Sequence, residues 1–194
     1  MMLLLLAVTA AAWDIGRFAR QAWFFNQPFA ATPAPSGQLF PGTEWGPLDD
    51  VVMGGSSSST IQDGRWRGTV IEKNGGFVGV RCRPMRPPID ASQYTGLRVR
   101  MSGDNLRLKF VVRDDEDWNG VAWTWIFDTA EEVLLPFKDA VPTRFARTVQ
   151  TKPLDTSKLT VLQLALSKFE FDGKLNPKFK EGPFALDLIS IELY

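Results

Sequence analysis

From about residue 48 to the C-terminus, apolar side chains recur at every second position. Arg65-Trp66-Arg67-Gly68-Thr69-Val70 alternates, and so does Leu97-Arg98-Val99-Arg100-Met101. Leu106, Leu108, Phe110 and Val112 alternate with Arg107, Lys109, Val111 and Arg113. Val121, Trp123, Trp125 and Phe127 form another such set, followed by Leu162, Leu164 and Leu166, and then Phe184, Leu186 and Leu188. Period two with a one-sided apolar set predicts strands that lay one face on a core. Asp63-Gly64, Asn74-Gly75-Gly76, Gly103-Asp104-Asn105 and Asp172-Gly173 are turn signals between them. Roughly eight or nine short strands are expected, which makes an all-β antiparallel sandwich, a jelly roll. No strand–helix alternation supports a Rossmann unit.

The first part of the chain has a different pattern. Met1 to Trp13 is apolar apart from Thr9. It is too short to cross a bilayer as a helix, which takes about 20 residues. A signal segment with Ala10 and Ala12 before its cleavage site is one reading, although no Lys or Arg precedes it. A buried arm or a mis-assigned start are the others. Trp13 to Gln27 predicts a short amphipathic helix. Asp14 is its N-cap, and Trp13 and Phe18 have the spacing of a hydrophobic staple. Phe18, Ala22 and Phe25 form its apolar stripe, and Arg17, Arg20 and Gln21 its polar side. Such an arm either docks on a partner, through Trp13, Arg17, Phe18, Trp23 and Phe25, or packs on its own domain. Residues 28–47 carry five prolines and read as an extended linker or wrapping segment. The expected organisation is therefore an arm over 1–27, a Pro-rich linker over 28–47 and a β-sandwich over 48–194.

Composition removes whole classes of chemistry. The 194 residues include no histidine and one cysteine. Ser-His-Asp and Cys-His machinery cannot exist within one such chain. Imidazole metal ligands are excluded, as are thiolate zinc sites, iron–sulfur sites and internal disulfides. No cofactor motif is present, and no strand-borne Gly-x-Gly-x-x-Gly occurs. Neither a cofactor, a metal nor a catalytic residue is expected.

One segment stands apart from the alternation: Leu48-Asp49-Asp50-Val51-Val52-Met53-Gly54-Gly55, followed by Ser56 to Ser59. Adjacent carboxylates and paired glycines imply a tight turn with close backbone contact. The serines offer hydroxyls to local backbone. Asp49 and Asp50 are the best guess for paired catalytic carboxylates, but their setting suits a loop clamp better. Asp49, Asp50, Val52, Met53, Gly54, Gly55 and Ser57 resemble the Asp-Asp-Val-Met-Gly-Gly-x-Ser signature of the complex I intermediate-associated protein 30 family, with one valine extra. Further fragments follow in the family's order. They are Trp66 with Gly68, the turn Asn74-Gly75-Gly76-Phe77, Gly96-Leu97 with Gly103-Asp104, Leu135-Pro136-Phe137, and Gly182-Pro183-Phe184 to Ile191. The resemblance covers residues 40 to 194. It implies a galactose-binding-like jelly roll and a role as assembly factor or chaperone for membrane complexes such as respiratory complex I. Trp13 to Phe18 also resembles the stretch ahead of the sandwich in photosynthetic members, which are linked to photosystem biogenesis. A position peripheral to a thylakoid or cyanobacterial membrane follows from that likeness, with a mitochondrial one as the alternative.

The neutral total of 22 basic and 22 acidic side chains conceals an asymmetry. Residues 65–113 carry a net charge of +8, residues 1–64 −3 and residues 114–194 −5. Arg65, Arg67, Arg81, Arg83, Arg98, Arg100, Arg107 and Arg113 alternate with core positions, so each pair shares one sheet face. If their strands are neighbours, a basic plate forms that would dock an acidic partner protein or an anionic lipid surface. The plain alternative is a solvated face paired with the acidic C-terminal half. Nucleic acid is not expected.

Three smaller features have two readings each. Trp123, Trp125 and Phe127 are core, or an exposed platform that stacks sugars. Asp114-Asp115-Glu116-Asp117 is a solvated loop, or oxygen ligands for Ca²⁺ without the glycine of an EF-hand. Cys82 is a buried thiol, or one activated by Arg81 and Arg83. The sequence therefore points to a non-catalytic protein-binding assembly or stability factor for a membrane-associated energy-converting complex. A permanent linker subunit of a photosynthetic antenna and a glycan-binding module are the alternatives.

Overall fold

The computed structural model describes residues 15–27 and 37–194. Helix α1 spans Ile15–Asn26. Among the described residues thirteen strands follow: β1 Gln38–Phe40, β2 Trp45–Pro47, β3 Ser58–Gln62, β4 Arg65–Val70, β5 Phe77–Cys82, β6 Gly96–Gly103, β7 Arg107–Arg113, β8 Ala122–Asp128, β9 Glu132–Pro136, β10 Val141–Arg144, β11 Arg147–Thr148, β12 Val161–Ser167 and β13 Gly182–Leu193. They form two antiparallel sheets. One has the order β3-β4-β13-β6-β9, with β1 also paired to β13. The other has the order β11-β10-β8-β7-β12-β5-β2. Six of the long strands, β4, β6, β7, β8, β12 and β13, are those the alternation predicts. The six-residue β5 is the exception: it lies inside the second sheet and is buried on both faces, so no period of two marks it. The other extra strands are short pieces of two to five residues, including β1 and β2 inside the proline-rich segment, too short to show a period.

The inward sets of both sheets meet in one core. Trp66, Phe110, Leu97, Leu164 and Leu186 are fully buried there. The aromatic ladder belongs to it: Trp123, Trp125 and Phe127 are 5%, 6% and 8% exposed. Trp125 Nε1 donates to the Pro136 carbonyl at 2.9 Å, which ties β8 to the end of β9 across the sandwich. The sugar-stacking platform is therefore not present on this strand. Buried aromatic area on one strand face is what holds two sheets together.

Strand β13 changes phase partway. Phe184, Leu186 and Leu188 point inward, and then Ile191 and Leu193 do. The register against β6 shifts between Leu188 and Ser190, and Ile189 is left 55% exposed. A bulge of one residue keeps a twelve-residue strand on the core where a regular one would turn its apolar face outward.

The helix lies over the β2–β5 edge of the second sheet. Phe24 sits against Gly46 of β2, and Phe24 and Phe25 meet edge to face at 5.0 Å. Gln21, expected on the polar side, is buried, because it lies one turn before Phe25 on the docked face. The expected cap at Asp14 lies outside the described residues.

Candidate functional site

The Asp-Asp segment folds into a clamp. Asp50–Met53 is a single 3₁₀ turn closed by Gly54 at φ 80. The turn brings residues 55–57 back over the Asp50 side chain. Asp50 Oδ1 accepts the Ser57 N–H at 2.9 Å, and Oδ2 accepts the Ser57 hydroxyl at 2.6 Å. Oδ2 also accepts the Gly76 N–H at 2.8 Å and the Phe77 N–H at 3.4 Å. Asp49 accepts the N–H and hydroxyl of Ser59 at 2.9 and 2.7 Å. Ser57 and Ser59 are two apart and so reach the same side as the strand begins. Both carboxylates have 0% exposure.

The glycines are explained by that carboxylate. A Cβ on Gly55 would lie 2.2 Å from Asp50 Cγ, and one on Gly75 would lie 2.2 Å from Asp50 Oδ2. Asn74, at φ 61, and Gly76, at φ 92, turn the chain so that the 76 and 77 N–H groups aim at Asp50. The two sequence fragments, Asp49 to Ser57 and Asn74 to Phe77, are thus one hydrogen-bonded unit. Met53 protrudes from it, 64% exposed.

The eight arginines do not share a face. Arg65, Arg67, Arg98 and Arg100 lie on the first sheet, and Arg81, Arg107 and Arg113 on the second, with Arg83 just beyond β5. The single basic plate is not built, because β13 inserts between β4 and β6 and sheet membership separates the rest. Carboxylates from outside the basic block meet most of them. Arg67 pairs with Asp187, Arg83 with Glu44, Arg98 with Glu132 and Glu192, Arg100 with Glu132, and Arg107 with Asp128 and Glu170. Arg65 is exposed at a groove of 630 Å³ lined by Phe40, Trp45, Ile61 and Ile189.

Of the expected docking arm, Trp23 is 63% exposed and Phe25 is 3% exposed. Phe25 is committed to the domain, in contact with Phe24 and, at 5.7 Å, with Trp118. Arg17 and Phe18 lie on α1, and Trp13 lies outside the described residues. Cys82 is fully buried, and its Sγ accepts the Leu162 N–H at 3.1 Å. Burial pushes its thiol up to about 11, so Arg81 and Arg83 do not activate it. In the acidic loop the carboxylates diverge. Asp114 accepts the Asp155 N–H, Glu116 pairs with Arg86, and Asp115 and Asp117 each accept an N–H two residues on.

A pocket of 240 Å³ on the outer face of the second sheet was not legible in the sequence. Lys109, Arg113, Thr124, Thr143 and Gln163 form its floor, and the β7–β8 loop, the β10–β11 turn and residues 170–171 form its walls. Its floor residues come from four strands that only the sheet order makes neighbours. The one available signal was Val111, an apolar side chain in the outward set between Lys109 and Arg113.

The model of the family described as Complex I intermediate-associated protein 30 matches residues 37–188. Comparison with curated proteins gives no match. Among solved structures, the family 11 carbohydrate-binding module of the cellulosomal cellulase Lic26A-Cel5E of Clostridium thermocellum is similar in fold. It shares 16% identity at a TM-score of 0.55, over 82% of this chain and 95% of that one. A solution structure of CtCBM11 aligns at 15% identity with a TM-score of 0.48, over 84% of this chain and 99% of that one.

Proposed function

The chain belongs to the complex I intermediate-associated protein 30 family, and on that premise we propose that it is a non-catalytic protein-binding factor. It acts in the assembly or stability of a membrane-associated energy-converting complex of the respiratory complex I kind. The observation that carries this reading is the family match over residues 37–188. The chemistry is in keeping with it. The adjacent carboxylates Asp49 and Asp50, the best catalytic guess, are buried and spent on backbone and serine donors. Trp23 on α1 and Met53 on the neighbouring turn are large exposed apolar side chains of the kind that anchor a partner.

The glycan-binding reading draws on the fold of the carbohydrate-binding module alone. Its proposed platform, Trp123 and Trp125, lies in the core. The assembly reading therefore stands ahead of it.

Affinity capture of the tagged chain from its native membranes, read by mass spectrometry, tests the proposal. Subunits of one multi-subunit complex should be retained by the wild type and depleted by Trp23→Ala with Met53→Ser. The chain should be missing from the finished complex. Stoichiometric presence there would instead make it a permanent subunit, and failure to retain any such subunit would overturn the reading.

A further inference from the structure

The pocket over the second sheet is lined by Lys109 and Arg113, with Arg81 packed behind its Trp118 wall. Among the described residues none of the three forms an ion pair; Glu170 acts on Lys109, and Asp115 and Asp117 on Arg113, only at longer range. Cross-strand register places Arg81 opposite Gln163, and Gln163 opposite Val111. Lys109 and Arg113 flank Val111 on the same face of β7. Arg81 is 2% exposed. Its guanidinium lies 4.2 Å from the Trp118 ring centroid and 5.8 Å from that of Phe25. Among the described residues it has no hydrogen-bond acceptor, and its buried Nε is unpartnered. Arg113 gives Nη1 to the Gly120 carbonyl at 2.9 Å and, at longer range, to those of Asp117 and Val121, while its buried Nε has no acceptor. Lys109 is half-buried and forms no ion pair among the described residues. Elsewhere in the molecule the comparable side chains Arg67, Arg98, Arg100 and Arg107 all meet carboxylates.

Buried cations without counter-charge are costly. Burial brings Lys109 down to about 8 and, with the charge of Arg113, Arg81 down to about 10. Both remain mainly charged at pH 7, so the cost is carried by the empty-handed fold.

The walls describe the rest of a ligand. Trp118 is still 43% exposed with Arg81 stacked on it, and Phe145 and Phe171 stand across the opening. Phe145 and Ala146 both have left-handed backbone, at φ 50 and 56. Asp172 holds that turn in place, accepting the Thr148 N–H and hydroxyl at 2.8 and 2.6 Å. Non-glycine residues kept in this region mark a surface whose shape is maintained at a cost. The Thr124 and Thr143 hydroxyls bond each other at 3.0 Å, leaving lone pairs for a ligand donor. Glu170 in the lining is neutralised by Arg107 and Lys174 but would repel a second negative charge.

We infer that this pocket binds a small flat molecule bearing one carboxylate, with the carboxylate on Lys109 and Arg113 and the flat body between Trp118 and Phe145. Its 240 Å³ suits a ligand below drug size. A planar carboxylate matches the guanidinium fork, and a ring matches the aromatic walls.

The test is a titration of the full chain followed by two-dimensional NMR and calorimetry at pH 7, with 4-hydroxybenzoate as probe. 4-Hydroxybenzamide is the matched neutral molecule and inorganic phosphate the competing anion. Saturable shifts at Lys109, Arg113, Gln163 and Trp118 are expected with the acid and not with the amide. Lys109→Met should weaken binding by about tenfold or more. Should Lys109→Met fail to fold, Asn119→Asp, which keeps the shape of the wall and adds a negative charge, should weaken it several-fold. Equal binding of acid and amide, phosphate binding tighter than the acid, no saturation up to about 50 mM acid, or unchanged affinity in the variants would each overturn the assignment.

Discussion

Asp50 Oδ2 accepts the backbone N–H of Gly76 at 2.8 Å, across 26 positions of sequence. This bond joins the loop before β3 to the turn before β5. It makes a buried carboxylate the centre of the region that carries the family signature.

Removing that carboxylate takes away the acceptor of two buried backbone donors, the Ser57 and Gly76 N–H groups, while the Ser57 hydroxyl still has the Ile71 carbonyl at 3.1 Å. Asp50→Ala should cost about 3 kcal/mol or more, because each orphaned buried donor carries its own desolvation penalty. Asp50→Asn should recover little, since its amide NH₂ faces N–H groups. Urea unfolding measures both, and a loss below about 1 kcal/mol for Asp50→Ala would show that the clamp is dispensable.

Gly75→Ala should destabilise by about 1–3 kcal/mol, the cost of overpacking against the Asp50 side chain. In an Asp50→Gly background that cost should shrink, because the whole obstructing side chain is gone, including the Cβ that would lie 2.6 Å away. The double-mutant cycle isolates this coupling, and strictly additive effects would refute it.

Lys109 predicts an alkaline gain in stability. Its folded value of about 8 lies below the ordinary 10.5, owing first to burial, with Glu170 opposing. The other charged groups on this face are Arg107 and Arg113 on β7, Arg81 on β5, and Asp128 on β8 paired to Arg107. Between about 8 and 10.5 the unfolded chain holds more protons at this site, so its contribution to stability rises with pH. Lys109→Met should therefore be about 1–2 kcal/mol more stable than wild type at pH 7. The difference should narrow towards pH 10 in urea titrations, and a widening gap would contradict the assignment.

Cys82 should resist alkylation in the native state. Its thiol stands at about 11 and is fully buried. Iodoacetamide at pH 8 should label it only as fast as the domain unfolds, and rapid native labelling would contradict this.

Trp125→Ala should behave as a folding lesion. Loss of a buried tryptophan costs about 3–5 kcal/mol, and here the bond to Pro136 goes too. Thermal unfolding should register it whether or not any oligosaccharide is present.

The alternation read well in six of the long strands. Leu108, Phe110 and Val112 are core as their spacing predicts, and so are Leu162, Leu164 and Leu166. The family signature was legible too, but its geometry was not. Asp50 and Gly76 are distant in sequence, and nothing local says that one accepts from the other. The bulge at Ile189 was equally hidden, since a phase change in an apolar run looks like noise until the partner strand fixes the register.

The sequence by itself determined six of the long strands, their inward sets and the tight Asp-Asp-Gly-Gly turn, because each depends on side-chain period and backbone freedom over a few residues. Charge placement was decided only by the tertiary structure. The same run of arginines was divided when β13 paired with both β4 and β6 and when β12 paired with both β5 and β7. Strand order is a long-range choice made by core packing. It answered Arg98 and Arg100 with Glu132, and it brought Lys109 and Arg113 into one pocket with Arg81 behind its Trp118 wall.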